Sequence, residues 1–170
     1  MLKRRILEPA TSSKTTGEIL TFAALSGLRS MAPPALLARA IRRGDVPDPK
    51  GTPYEILGRL SPLLQILMVG EMVGDKTPFI PSRTSAGPLL GRAASGALVA
   101  AALRASGGRG GKRSAALLGA LSAVAAAFAG ENLRAQGAQR LGGPDLALAL
   151  LEDGLVLYAG TRLLRRANSR

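Results

Sequence analysis

Charged residues that lie inside or beside apolar segments are the groups of this sequence that can do chemistry. They are Arg29 with its neighbour Ser30, Glu71, Asp75, Lys76, Glu131, Arg134, Glu152 and Asp153. A lone charge in lipid is costly, so such residues face the interior of a membrane protein and pair with one another. Two hypotheses follow. The charges form internal ion pairs, with Arg29 and Arg134 neutralising Glu71 and Glu152, or they form a polar path for an ion, a proton or a charged solute. Pairing is expected in both.

The densest group of these charges lies in residues 67–91, where an apolar run turns acidic at Glu71 and reaches Asp75 and Lys76. Glu71 and Asp75 are four residues apart, so a helix would place them on one face, close enough to hold one cation together. Lys76 lies next to them and could neutralise that site. A chain that crosses or dips into a bilayer would use an apolar run of this kind with a polar break.

Prolines mark two predicted breaks in the apolar segments. Pro33 and Pro34 interrupt the first segment, and Pro78 and Pro81 follow the acidic cluster. Proline removes a backbone donor and clashes with the preceding helical turn, so it ends or kinks a helix. The first break is either a kinked join between two short helices or a broken membrane helix whose freed carbonyls face a cavity, as in many transporters.

The chain contains no Cys and no His. Their absence removes disulfides, thiolate nucleophiles, His general bases, Ser-His-Asp triads, zinc sites and His-ligated haem. The sequence therefore predicts a protein that is not an enzyme and that has no metal or other cofactor.

The net charge of +12 suggests nucleic acid at first sight, but only 3% of the residues are aromatic and could stack on bases. The basic residues flank apolar runs and do not form one block, which is typical of membrane proteins. We therefore expect a lipid bilayer as the partner of this chain, and no nucleic acid.

The pattern of apolar runs predicts an all-α fold, a polytopic helical membrane bundle with four to five spans. The runs are residues 19–41, 60–74, 86–105, 114–130 and 145–164. They are rich in Ala and Leu and too long for strands. The second is short for a span of about 20 residues, so it either crosses or forms a re-entrant piece. Residues 1–17 are a polar basic segment in which Thr16 can cap the first helix, 18–165 one membrane domain, and 166–170 a basic tail.

A soluble Ala-rich bundle is the alternative, and a mean hydropathy of +0.18 is compatible with it. In residues 114–130, however, no 3.6-residue periodicity separates a wet face from a dry one, as a soluble surface helix requires. Small residues four apart in residues 86–105, such as Gly96 and Ala100, would let helices approach closely, either within the bundle or in a homo-oligomer or larger membrane complex. The membrane interpretation is therefore favoured.

The halves of the chain share a faint similarity that suggests an inverted internal repeat. Arg29 and Arg134 each follow a leucine, and Glu71 and Glu152 each lie in an apolar run. Inverted repeats are common in transporters. Positive-inside counting places the linker 106–114 and the C-terminus in the cytoplasm. With five spans the N-terminus lies outside, and with four both termini lie inside.

The stretches 27–40 (GLRSMAPPALLARA) and 70–98 (GEMVGDKTPFIPSRTSAGPLLGRAASGAL) resemble a family of small bacterial integral membrane proteins that is defined only as a domain of unknown function. The resemblance covers most of residues 18–165 and implies a polytopic membrane protein. It brings no activity. The positions by which the family is recognised are Arg29, Ser30, Pro33, Glu71, Asp75, Lys76 and Pro78.

These observations predict a small bundle in a bacterial inner membrane. The leading hypothesis is a transporter or channel-like protein that binds or passes a small charged solute or ion through a polar interior lined by carboxylates and Arg. The alternative is a non-catalytic accessory or structural subunit that associates with a larger complex, a lipid or a pigment.

Overall fold

The structure is a computed structural model that describes residues 14–74, 84–141 and 145–165, with side chains for 14–74, 84–137 and 147–165. The described residues form helices and connecting loops and contain no strand, which confirms the predicted all-α class. The helices are α1 (Thr16–Leu28), α2 (Ala32–Arg43), α3 (Ile56–Arg59), α4 (Ser61–Gly74), α5 (Ala86–Ser106), α6 (Lys112–Leu141) and α7 (Asp145–Arg165), with a 3-10 turn at Pro53–Glu55.

The first predicted segment consists of two helices separated by a break at residues 29–31. Helix α1 begins with a capping box in which Thr15 and Glu18 bond each other's backbone N–H, one residue before the predicted cap at Thr16. The break lies just ahead of Pro33 and Pro34, which occupy the first turn of α2. Proline is tolerated there because a first-turn N–H has no helical partner. The two prolines therefore start the second helix and do not interrupt it.

Helix α2 returns to the end of the bundle from which α1 starts. Arg104, at the end of α5, donates to the Oγ1 of Thr16 over 3.3 Å, so α1 starts where α5 ends. The Lys14 ammonium donates to the carbonyl oxygen of Leu163, close to the end of α7. The end of α2 borders the same region, because Arg43 and Leu164 line one cavity. The segment 19–41 is thus a helical hairpin.

We call this end of the bundle the basic end, defined by Lys14, Arg43, Arg104, Lys112 and Arg165. Because of the hairpin, both the first and the last described residues of the chain lie there. Burial lowers the pKa of Lys14 from 10.5, and the nearby Glu18 carboxylate opposes that change.

Helix α4 runs beside α2 from the basic end towards the break. The Gln65 amide donates to the carbonyl oxygen of Ala35 over 2.8 Å, and Glu71 reaches the break itself. The residues Pro53–Arg59 meet α4 at an angle of 74°, and the two pieces together have the length and hydropathy of a broken span or a re-entrant loop. This agrees with the ambiguous prediction for residues 60–74.

Helices α1, α5 and α6 pack closely through small residues. A Cβ on Gly96 of α5 would lie 2.5 Å from the carbonyl oxygen of Gly119 on α6, and a Cβ on Gly27 of α1 would collide with the backbone of Ala123. Close backbone approach of this kind is a common way for helices to associate in lipid. The predicted small-residue face at Gly96 and Ala100 is therefore used inside the bundle.

Helices α5 and α6 are each long and apolar enough to cross a membrane. Large apolar side chains stand exposed on the outside of the bundle, and Leu90, Leu117 and Leu151 are 70%, 64% and 70% exposed. Exposed apolar surface of this extent marks contact with a membrane or a protein partner. Among the described helices the number of candidate spans is two, or three with the bent pair, so four to five spans are not confirmed.

Candidate functional site

The break between α1 and α2 lies in the interior of the bundle, against α4, α5 and α7. A helix end leaves up to four N–H or C=O groups without helical partners, and an apolar interior offers no water to bind them. The break thus leaves carbonyl groups at the end of α1 and N–H groups just ahead of α2 that take their partners from other helices. Of the charged side chains predicted from the sequence, Arg29, Glu71 and Asp153 are found at this point.

Glu71 of α4 binds the N-terminus of α2. One carboxylate oxygen accepts hydrogen bonds from the backbone N–H and the hydroxyl of Ser30, both over 2.7 Å, and the other accepts from the backbone N–H of Met31 over 2.7 Å. The N-terminus of a helix carries partial positive charge, so an anion there is stabilised by the dipole and by charge-assisted hydrogen bonds. Glu71 therefore occupies a position suited to an anion.

Arg92 of α5 binds the C-terminus of α1. Its guanidinium donates to the carbonyl oxygens of Gly27 and Leu28 over 2.6 and 2.9 Å, and the residue is 4% exposed. The C-terminus of a helix carries partial negative charge, so a buried cation is favoured there. Each end of the broken helix is thus matched by a side chain of opposite charge.

Arg29 lies within the break and is fully buried. Its Nε is 2.7 Å from a carboxylate oxygen of Asp153 on α7, which is 7% exposed. The predicted pairing of Arg29 with Glu71 is wrong, because Glu71 is engaged by Ser30 and Met31. A buried charge without a partner would be strongly destabilising, so Arg29 and Asp153 depend on each other.

Three serines complete the polar interior. The hydroxyl of Ser95 donates to the carbonyl oxygen of Ser30 over 2.6 Å, and its oxygen lies 3.0 Å from that of Ser26. These bonds join α5 to both sides of the break. Ser30, a predicted site residue, contacts both Glu71 and Ser95 in this cluster.

Arg92, Ser26 and Ser95 are site residues that the sequence reasoning missed. Arg92 could have been identified from the sequence, because it is a charged residue inside an otherwise apolar segment. Ser26 and Ser95 could not have been identified in this way, since small polar residues are common in membrane helices for packing alone.

The second predicted ion pair is present. Arg134 of α6 and Glu152 of α7 lie 3.9 Å apart, and both side chains are largely buried. Glu131 is half-buried on α6, one turn before Arg134. The predicted residues Asp75, Lys76, Pro78 and Pro81 lie outside the described residues. The structure thus places Glu71 and Asp153 at the break, and Arg134 with Glu152 beside it.

The predicted inverted repeat is not confirmed. Arg29 lies in a break between two helices, whereas Arg134 lies within the continuous helix α6. Each of the two arginines does pair with one member of the Glu152-Asp153 dipeptide. The shared feature is therefore a shared partner segment on α7, and it requires no duplicated fold.

No protein-family model, curated protein or solved structure matches this chain. The resemblance to a membrane protein family therefore stays a prediction. The described part of the chain defines a class by itself. It is all-helical, it contains two or three candidate membrane spans, and it buries a cluster of charges at a helix break.

Proposed function

We propose that this chain is a multi-pass protein of a bacterial inner membrane, with the basic end in the cytoplasm. The proposal is supported by the apolar exterior and by the collection of arginines and lysines at one end, which the positive-inside rule assigns to the cytoplasm. Helices α4 to α7 would then make four passes. The hairpin of α1 and α2 would enter from the cytoplasmic side and return to it, so that both ends of the chain face the cytoplasm.

We further propose that the protein binds or passes a small charged solute at the break, and that the solute is an anion. The observation that carries this proposal is the Glu71 carboxylate on the N–H groups of Ser30 and Met31, at the residues that lead into α2. Half-helix ends at the middle of a membrane are the usual binding sites of transporters, and their N-termini bind anionic groups. Here a carboxylate of the protein itself holds that place.

An anionic solute could take the place of the Glu71 carboxylate at the break. When Glu71 moves away, the N–H groups of Ser30 and Met31 and the hydroxyl of Ser30 become available to an incoming anion. Arg29 and Arg92 remain nearby, so an anion in place of the carboxylate preserves the balance of charge at the break. Glu71 would thus act as a tethered competitor of the solute.

Flux measurements on protein reconstituted in liposomes test this function. Chloride, nitrate and inorganic phosphate are the probes, and Glu71→Gln is the variant. Gln has the same size but no charge, so it competes less well for the amides, and we expect the apparent affinity for the transported anion to rise roughly tenfold. Glu55→Gln, which removes a carboxylate near the basic end, is the matched control and should behave like wild type.

The absence of flux for every probe in both wild type and Glu71→Gln, with helical content and monodispersity retained, would contradict the transport proposal. An equal change in Glu55→Gln would show that the effect is not specific to the break.

One observation favours the second candidate, an accessory or structural subunit. The Glu71 carboxylate has three donors and Arg29 has a carboxylate partner, all from within the bundle. The break can therefore serve as a rigid internal clamp with no solute. This candidate predicts that the liposomes show no anion flux and that the protein co-purifies with a defined partner complex in mild detergent.

A further inference from the structure

A cavity of about 130 Å³ lies at the basic end, between α2 and α7, away from the break. Three arginines line it: Arg39 and Arg43 of α2, and Arg165 of α7. The volume is sufficient for several water molecules, and thus for a small polar group. The cavity is separate from the site described above and has no part in the proposed exchange at Glu71.

The three arginines repel one another as they stand. Arg39 and Arg43 are four residues apart on one helix, where like charges are destabilising. Among the described residues no carboxylate lies within ion-pair distance of any of the three. Asp45 also lines the cavity and offsets one charge, which leaves the lining with a net charge of +2.

Helix dipoles explain part of this arrangement. Arg43 and Arg165 lie in the last turns of α2 and α7, where cations are favoured. Arg39 lies a full turn earlier, so the dipole does not account for it. Nor does the dipole account for the convergence of arginines from two helices on one cavity.

The lining combines these cations with an apolar side. Leu36 and Leu164 are buried and border the cavity. Guanidinium groups bind phosphate through paired N–H donors, and basic pockets between membrane helices on the cytoplasmic side bind anionic headgroups. We propose that this cavity binds a phosphate group, carried either by the headgroup of an anionic lipid or by a soluble phosphate compound.

The test measures binding to purified full-length protein in neutral detergent. Phosphatidylglycerol, phosphatidylcholine and inorganic phosphate are added separately, and bound lipid is counted by native mass spectrometry while phosphate is measured by calorimetry. Arg39→Gln/Arg43→Gln is the variant. Lys112→Gln/Arg113→Gln is the matched control, because it removes the same charge from exposed residues near the same end and outside the cavity.

We expect phosphatidylglycerol to bind wild type and the control, and to bind Arg39→Gln/Arg43→Gln at least roughly tenfold more weakly. Phosphatidylcholine should bind all three proteins equally. If inorganic phosphate alone shows the same dependence on the two arginines, the source is a soluble phosphate compound. If the binding of phosphatidylglycerol depends on the two arginines and the binding of inorganic phosphate does not, the source is a lipid.

Equal losses in the cavity variant and the control would overturn the proposal. So would the finding that neither phosphatidylglycerol nor inorganic phosphate binds the cavity variant more weakly than wild type. If the double variant does not fold, Arg165→Gln replaces it, since that residue approaches the cavity from the other helix. The Glu71→Gln protein should bind phosphatidylglycerol like wild type. A failure of the phosphate-binding proposal is therefore distinguishable from a failure of the transport proposal.

Discussion

The arginines at the break and those at the basic end are the same residue type in opposite situations. Arg29 and Arg92 are buried, and each is matched by an anion or by the carbonyls of a helix end. Arg39 and Arg43 are exposed and have no carboxylate partner among the described residues. The comparison teaches that the burial of an arginine determines where its partner comes from. A buried charge must be neutralised by other groups of the protein, whereas an exposed charge can remain available to a ligand.

The two groups of arginines should also differ in how much the free energy of unfolding falls when one of them is removed. Removing one member of a buried ion pair costs about 3–5 kcal/mol, because the other charge stays behind in an apolar surrounding. Removing an exposed charge usually changes stability by less than about 0.5 kcal/mol. Substitutions in the two regions should therefore differ severalfold in their effect on unfolding.

The largest effect is expected at Arg29. Arg29→Met removes the guanidinium that lies 2.7 Å from the buried Asp153 carboxylate, so the free energy of unfolding should fall by about 3–5 kcal/mol. The double variant Arg29→Met/Asp153→Leu removes both charges and should recover most of that loss. Denaturation in detergent followed by circular dichroism measures both, with Arg113→Met as the exposed control.

If the single and double variants were equally destabilised, the coupling between Arg29 and Asp153 would be negligible. The distinction between interior and exposed arginines would then have no energetic basis.

A smaller effect is expected where α5 and α6 hold the interior together. In Gly96→Ala the added methyl meets the backbone of Gly119, and overpacking of this kind costs about 1–3 kcal/mol. Gly91→Ala, five residues earlier on α5, meets no atom within 4 Å and should stabilise the helix by about 0.5–1 kcal/mol. The same denaturation experiment compares the two. Opposite signs are the expected result, and equal changes would show that α5 and α6 do not approach closely.

The sequence allowed the helices to be predicted well, because long apolar runs bounded by Gly, Pro and charges leave few alternatives. Residues 86–105 became helix Ala86–Ser106 almost unchanged. Residues 114–130 became part of a longer helix, Lys112–Leu141, since Glu131 and Arg134 continue the helix instead of ending it. The break near Pro33 was also visible, although its position was shifted by a few residues.

The partners of the charges could not be predicted in the same way. Arg29 and Asp153 are more than a hundred residues apart, and only the path of α7 beside the hairpin brings them together. The role of Glu71 likewise depends on α4 running beside α2. Periodicity identifies which residues are buried, but it carries no information on which helices become neighbours.

The hairpin is the feature on which the interior site depends, since a straight helix over residues 19–41 would have no ends for Glu71 and Arg92 to bind. Labelling from one side of the membrane tests it, and the chain has no native Cys to remove. Single Cys variants at Gly17, Lys50 and Gly110 should react with an impermeant maleimide from the same side, and one at Gly87 from the other. Labelling of Gly17 and Lys50 from opposite sides would contradict the account.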